Sequence, residues 1–164
     1  MSHLADLPGL RRRIAGIAYE SLLLLGVLSV TFMVPHLLLG MAFSITAPSW
    51  LLALNFFGVL GAYFVWYWYK HGQTLAMQTW KMELVSADGS PPKLEQLVAR
   101  FIFAWAIPLA MIYIVQHLLT GLPQHLPRWY PYLGGIVCLI WAFFDRERQF
   151  LHDRLAGTKI IFKT

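Results

Sequence analysis

The sequence predicts an all-α membrane protein with four transmembrane helices and a small cytoplasmic β-ribbon, and three observations predict it. Of 164 residues, 58 % are apolar and only 13 % are charged, which is too apolar for an ordinary soluble domain and excludes a disordered tail. The apolar residues gather in four stretches: Ile14 to Leu39, Trp50 to Tyr69, Leu97 to Leu119 and Trp129 to Phe144. Twelve of the thirteen basic residues fall on one side of those stretches.

At 1.5 Å rise per residue, crossing a ~30 Å hydrocarbon core takes about 20 residues. The first three stretches meet that length, and the fourth meets it when the interfacial rings of Trp129, Tyr130 and Tyr132 are counted. Arg11, Arg12 and Arg13 precede the first stretch. Lys70, Lys81, Lys93 and Arg100 lie between or flank the second and third, and Arg146, Arg148, Arg154, Lys159 and Lys163 follow the fourth. The loop around Gly40 to Ser49 carries no Lys or Arg, and the loop around Thr120 to Pro131 carries only Arg128. The positive-inside rule therefore places both termini in the cytoplasm. The net charge of +5 is a topology signal, so the bilayer is the expected partner and nucleic acid is not.

The first stretch follows arginines as a secretory signal would, but it is too long and lacks a small-residue cleavage site, so it is read as a retained span. Trp50, Tyr63, Trp66, Tyr67, Trp68 and Tyr69 gather at the ends of the second span, where they read as interfacial anchors. Pro35 and Pro108 fall in or near the ends of apolar stretches, where a missing N–H kinks a helix and releases carbonyls. Gly58, Gly61 and the Gly134–Gly135 pair are assigned to helix packing. Cys138 is the single cysteine, so neither a disulfide framework nor a thiolate metal cluster is available within the chain.

The loop from His71 to Leu94 is long enough for its own structure. Within it Thr79 to Ser86 alternates Trp80, Met82 and Leu84 against Lys81, Glu83 and Val85, a strand pattern ended by Asp88-Gly89-Ser90-Pro91-Pro92. Gly157 reads as the stop of a helix over Arg148 to Ala156, and the β-rich Thr158 to Lys163 follows it. The two strands are expected to pair. A lone two-stranded ribbon is marginal in water, so it should lie against the membrane surface or the helix ends.

Glu20 is the one acidic residue inside any stretch long enough to span, roughly 10 Å below the arginines. A carboxyl there costs on the order of 2–3 kcal/mol, so it is paired, protonated or wetted. Two readings stay open: an interhelical hydrogen bond that only holds helices together, or a titrating group. Its side chain tilts toward the arginine end, which allows pairing with Arg13, Arg100 or a tail arginine. Asp153, beside His152 and Arg154, reads as a cap or ion-pair partner in the first case.

No Gly-x-Ser-x-Gly, His-Glu-x-x-His, Walker or dinucleotide fingerprint occurs, so an enzyme is not expected. His36, His117 and His125 map to the outer side with spacing unlike a ligand motif, and neither a metal nor a cofactor is expected.

Three segments in fixed order, PGLRRRIAGIAYESLLLL, GQTLAMQTWKMELVSADGSPP and WAFFDRERQFLHDRLAGTKII, carry a resemblance. The chain resembles the RDD family of bacterial integral membrane proteins, most of all its compact Gram-negative members. That likeness implies one membrane domain over residues 8–164, a short cytoplasmic tail over 1–7, and a place in the inner membrane. The family's arginine falls by resemblance on the Arg12–Arg13 pair, first on Arg13, and its first aspartate on Glu20, which keeps the carboxylate and adds a methylene. Its second aspartate corresponds first to Asp153 and otherwise to Asp145. The resemblance also implies transport of an undefined ligand, with cation/proton exchange linked to some relatives. Four helices enclose little interior, so a transporter of this size calls for a homo-oligomer or a larger membrane partner. The competing reading is an accessory module in which Arg13, Glu20, Asp145 and Asp153 form a structural network.

Overall fold

A computed structural model describes residues 7–44, 47–118 and 136–163. The first apolar stretch is one continuous rod made of α1 (Leu10–Leu28), a π-helical segment over Ser29–Met33, and α2 (Val34–Phe43). Pro35 explains the wider turn. Its ring crowds the carbonyl one turn back and it has no N–H to donate, so the backbone loosens just ahead of it. Val34 N accordingly donates five residues back, to the Ser29 carbonyl. The hydroxyls of Ser29 and Thr31 bond the Leu25 and Val27 carbonyls, each at 2.7 Å.

α3 (Ser49–His71) starts after Pro48 and stops at Gly72, whose φ of +67° suits a residue without a Cβ. α5 (Leu94–Leu118) starts after the Pro91–Pro92 pair and holds Pro108 in its interior. The rod over Leu10–Phe43, α3 and α5 are the three helices long and apolar enough to cross a membrane. Their outward residues, among them Leu22, Met41, Trp50 and Leu118, are exposed, as lipid-facing positions are. α3 packs on α5 through Gly61, where an added Cβ would come within 3.2 Å of the Phe101 ring. Gly61 is thus a packing glycine as expected, whereas Gly58 meets nothing within 4 Å.

The fourth expected span is described only at its end, by α6 (Val137–Phe144). The rest of it, Trp129 to Gly135, lies outside the described residues, together with His125, Arg128 and the Gly134–Gly135 pair. Three spans, not four, are therefore what the described residues contain.

The end of the helices that carries Arg13 is closed by α4 (Leu75–Thr79), β1 (Met82–Ser86), α7 (Leu151–Leu155) and β2 (Thr158–Phe162). β1 and β2 form the expected ribbon, antiparallel, with Glu83 opposite Ile161 and Ser86 opposite Thr158. The first strand begins later than the alternation suggests, because Thr79 still ends α4 and Lys81 turns the chain at φ +52°. Val85, on the opposite face in that alternation, is buried along with Met82 and Leu84, since the ribbon lies against helix ends. Gly16 admits this approach: a Cβ there would meet Met82 Cε at 2.8 Å. Helix α7 is shorter than the expected Arg148 to Ala156, but Gly157 does end it, at φ +65°. The buried apolar core, Trp68, Met77, Met82, Leu84, Leu97 and Ile160, sits at this end. Trp68 is thus a core residue and not the expected interfacial anchor, whereas Trp66 and Tyr69 are well exposed.

Candidate functional site

Arg13 is the most enclosed charged group of α1, with 1 % of its surface exposed. Its Nε donates to the Pro8 carbonyl at 3.1 Å, and Nη1 donates to the Arg148 carbonyl and to Gln149 Oε1, both at 2.8 Å. Nη2 donates to the Ile160 carbonyl at 3.1 Å. One guanidinium fork therefore joins the start of α1, the α6–α7 connection and β2. Gln149 Oε1 also accepts from Ile160 N at 3.1 Å, so this buried amide fixes the strand to the same point.

Asp145 caps the α6–α7 turn. It accepts from the backbone N–H groups of Glu147 at 3.1 Å and Gln149 at 2.9 Å, and Arg154 Nε donates to it at 2.8 Å. Partial burial works against its charge, but the Arg154 and backbone hydrogen bonds outweigh that and hold its pKa below the ordinary range.

Asp153 is fully buried, and Arg100 Nε donates to its Oδ1 at 2.7 Å. Burial alone raises a carboxyl pKa, but the adjacent charge of Arg100, with His152 and Arg13 behind it, brings this one below its ordinary value. His152 Nε2 lies 3.4 Å from the same oxygen, and its ring stacks on Phe150. Burial lowers the His152 pKa, which keeps the imidazole neutral near pH 7. The Arg100 guanidinium also lies 4.3 Å from the centre of the Trp68 ring, a cation–π contact that explains why Trp68 is inside.

Glu20 stands apart from this network. Tyr63 Oη donates to its Oε1 at 2.5 Å, and the Thr74 hydroxyl donates to its Oε2. The expected pairing with Arg13, Arg100 or a tail arginine does not occur: among the described residues Glu20 makes no ion pair. Both partners are neutral hydroxyls. Thr74 is placed by its own role as the N-cap of α4, where its oxygen accepts from Met77 N at 3.3 Å. That cap was readable from Thr74 before an apolar helical turn, whereas Tyr63 looks in composition like any other interfacial aromatic.

Between α1, α3 and α5 lies a half-open cavity of about 530 Å³. Its apolar walls include Leu24, Leu28, Phe56 and Trp105, and Phe32 of the π segment meets Phe56 edge-on. Glu20, Thr74, Arg13, Arg100 and His152 line its polar end. Of the five residues singled out in the sequence, Arg13, Arg100 and Glu20 face one cavity, Asp153 lies behind Arg100, and Asp145 is joined to Arg13 through Arg148 and Gln149. His36 bonds the Phe32 carbonyl at 2.6 Å, and the His117 ring lies tilted against Tyr113 with centroids 4.2 Å apart. Among the described residues no three His, Cys, Asp or Glu side chains come together as metal ligands would.

An uncharacterised protein of Rickettsia prowazekii (strain Madrid E) is similar, 28 % identical over 104 residues. The alignment takes in 63 % of this chain and 44 % of that protein, so the chain spans less than half the length of this relative. No solved structure matches the chain. The model of the RDD family matches residues 7–157, a range that includes all five residues above, and the chain therefore belongs to the RDD family of membrane proteins.

Proposed function

We propose that this protein is a small membrane carrier in which Glu20 is the titrating group, taking up a proton or giving it up as ligand occupies the cavity beside it. The observation that carries the reading is that Glu20 lines that cavity with two neutral hydroxyls as its partners and, among the described residues, no ion pair, although Arg13 and Arg100 line the same end. A carboxylate so placed at membrane depth is left to a proton or a ligand for charge balance. The arrangement proposed is four spans in the inner membrane, both termini cytoplasmic, assembled as a homo-oligomer or with a larger membrane partner. A reporter active only in the cytoplasm should work when fused after Thr164 and fail at Ser44; the reverse would invert the topology.

In proteoliposomes carrying a pH-sensitive dye, wild-type protein should couple proton movement to at least one of a panel of cations and organic ions. Glu20→Gln should abolish that movement while melting stays within ~2 kcal/mol of wild type, the scale of one interhelical polar contact. Unchanged flux with lowered melting would remove Glu20 from the mechanism. A second reading, a non-transporting module, is favoured by the engagement of Arg13, Asp145 and Asp153 in bonds that tie the helix ends and the ribbon together. On that reading no ion moves and Glu20→Gln acts on stability alone.

A further inference from the structure

Arg100 is buried to the same degree as Glu20, with 6 % of its surface exposed, but most of its hydrogen-bonding capacity is unused. Its Nε is taken by Asp153 and its flat face by Trp68. Nη1 and Nη2 have no acceptor among the described residues, although neither is sealed off, and the side chain lines the cavity. Those four N–H donors are therefore open to an acceptor that enters the cavity.

We infer that Arg100 anchors a binding site for an anion-headed, chain-bearing amphiphile, with the head on its Nη atoms and the chain along the apolar walls of the cavity. The open edge of a guanidinium presents two parallel N–H groups, which match the oxygens of a carboxylate or phosphate. A free inorganic anion would use that edge but leave the walls of Leu24, Leu28 and Trp105 without a role. The cavity volume falls in the ~300–1,000 Å³ range of pockets that enclose one small molecule, which suits a single chain. Arg13 adds positive charge at the same end, His152 is neutral there, and Asp153 faces Arg100 from behind. Among the described residues Glu20, held by Tyr63 and Thr74, is the one carboxylate on the cavity wall, and its hydroxyl partners hold it there beside the two arginines. This names the ligand class of the proposed carrier, and it rests on that reading for movement but not for binding.

Native mass spectrometry of the full chain, released from a non-ionic detergent, tests it with laurate, dodecyl phosphate, dodecyltrimethylammonium, acetate and inorganic phosphate. One laurate or one dodecyl phosphate should bind per chain, saturably, and the preferred head distinguishes a fatty acid from a phosphate-headed lipid. Acetate, inorganic phosphate and dodecyltrimethylammonium should not bind. Arg100→Lys should weaken binding at least tenfold, Glu20→Gln should preserve it, and Ala104→Trp, which fills the cavity from α5, should abolish it in a protein that still melts cooperatively. Equal binding of acetate, or unchanged laurate binding in Ala104→Trp, would overturn the site. Binding of dodecyltrimethylammonium in place of laurate would overturn it while leaving the Glu20 carrier standing. Laurate binding without any flux would do the opposite.

Discussion

Arg13 on α1 and Arg100 on α5 are both buried at the ribbon end of the molecule and both line the same cavity, yet they are held in opposite ways. Four donors of Arg13 are bonded to groups of the chain itself, three of them backbone carbonyls fixed by the fold. Arg100 spends one donor on Asp153 and keeps its outer edge open. The same contrast separates Asp145, bonded by two backbone N–H groups and an arginine, from Glu20, bonded by two hydroxyls that can turn. A charge whose partners are all backbone or fixed amide is committed to one arrangement. A charge with spare capacity, or with rotatable partners, can take a second arrangement when a proton or ligand arrives.

The largest effect expected from this contrast is at Arg13. Arg13→Met keeps the volume of the side chain but strips the donor from the Pro8, Arg148 and Ile160 carbonyls and from Gln149 Oε1. Gln149 Oε1 keeps Ile160 N and the Ile160 carbonyl keeps Gln149 Nε2, so at roughly 1–3 kcal/mol for each buried group left without a partner the loss should be about 3–5 kcal/mol, most of it from the Pro8 and Arg148 carbonyls. Arg13→Lys should recover little, because an ammonium has three donors on a point and cannot span four acceptors. Melting in detergent, measured beside Glu20→Gln, checks the ranking. If Arg13→Met melted within ~1 kcal/mol of wild type, the saturated cluster would not be what holds the helix ends to the ribbon.

Much of this contrast was legible in the residues, and what was not has a physical reason. The ribbon could be read because a period of two and a following Gly157 are local signals, complete within each segment. Arg13, Arg100, Glu20 and Asp153 stood out because charge next to long apolar runs is rare. Which of them meet was not readable: Arg100 and Asp153 are 53 positions apart, and nothing local says that the carboxylate of Glu20 finds Tyr63 and Thr74 in place of an arginine. Trp68 was misread for a related reason. Its neighbours Trp66 and Tyr69 do face outward, and it is the core beneath the ribbon and the cation of Arg100 on another helix that draw Trp68 in. Pro35 announced a disturbance of the first helix but not its form, since a kink and a π turn both relieve the same missing N–H.

The smaller effect is a pH dependence of stability that should come from the neighbouring pair His152 and Asp153 at the polar end of the cavity. Burial lowers the His152 pKa below its ordinary 6.5, with Asp153 opposing the shift and Arg100 adding to it. For Asp153 burial works the other way, yet Arg100 and His152 still bring it below 3.8. Both groups thus have a lower pKa folded than unfolded, so on acidification the unfolded chain binds protons first and stability falls. His152 acts earlier, its contribution being complete above about pH 6.5 and declining below it, whereas Asp153 adds its loss only below about pH 4. Wild-type melting should therefore drop between pH 7.5 and 5, by less than the loss in Arg13→Met. His152→Gln, which cannot titrate, should flatten that interval and leave the fall below pH 4 in place. An unaltered slope in His152→Gln would remove His152 as the source of the acid sensitivity, and the burial that lowers its pKa would not be what ties stability to pH in this interval.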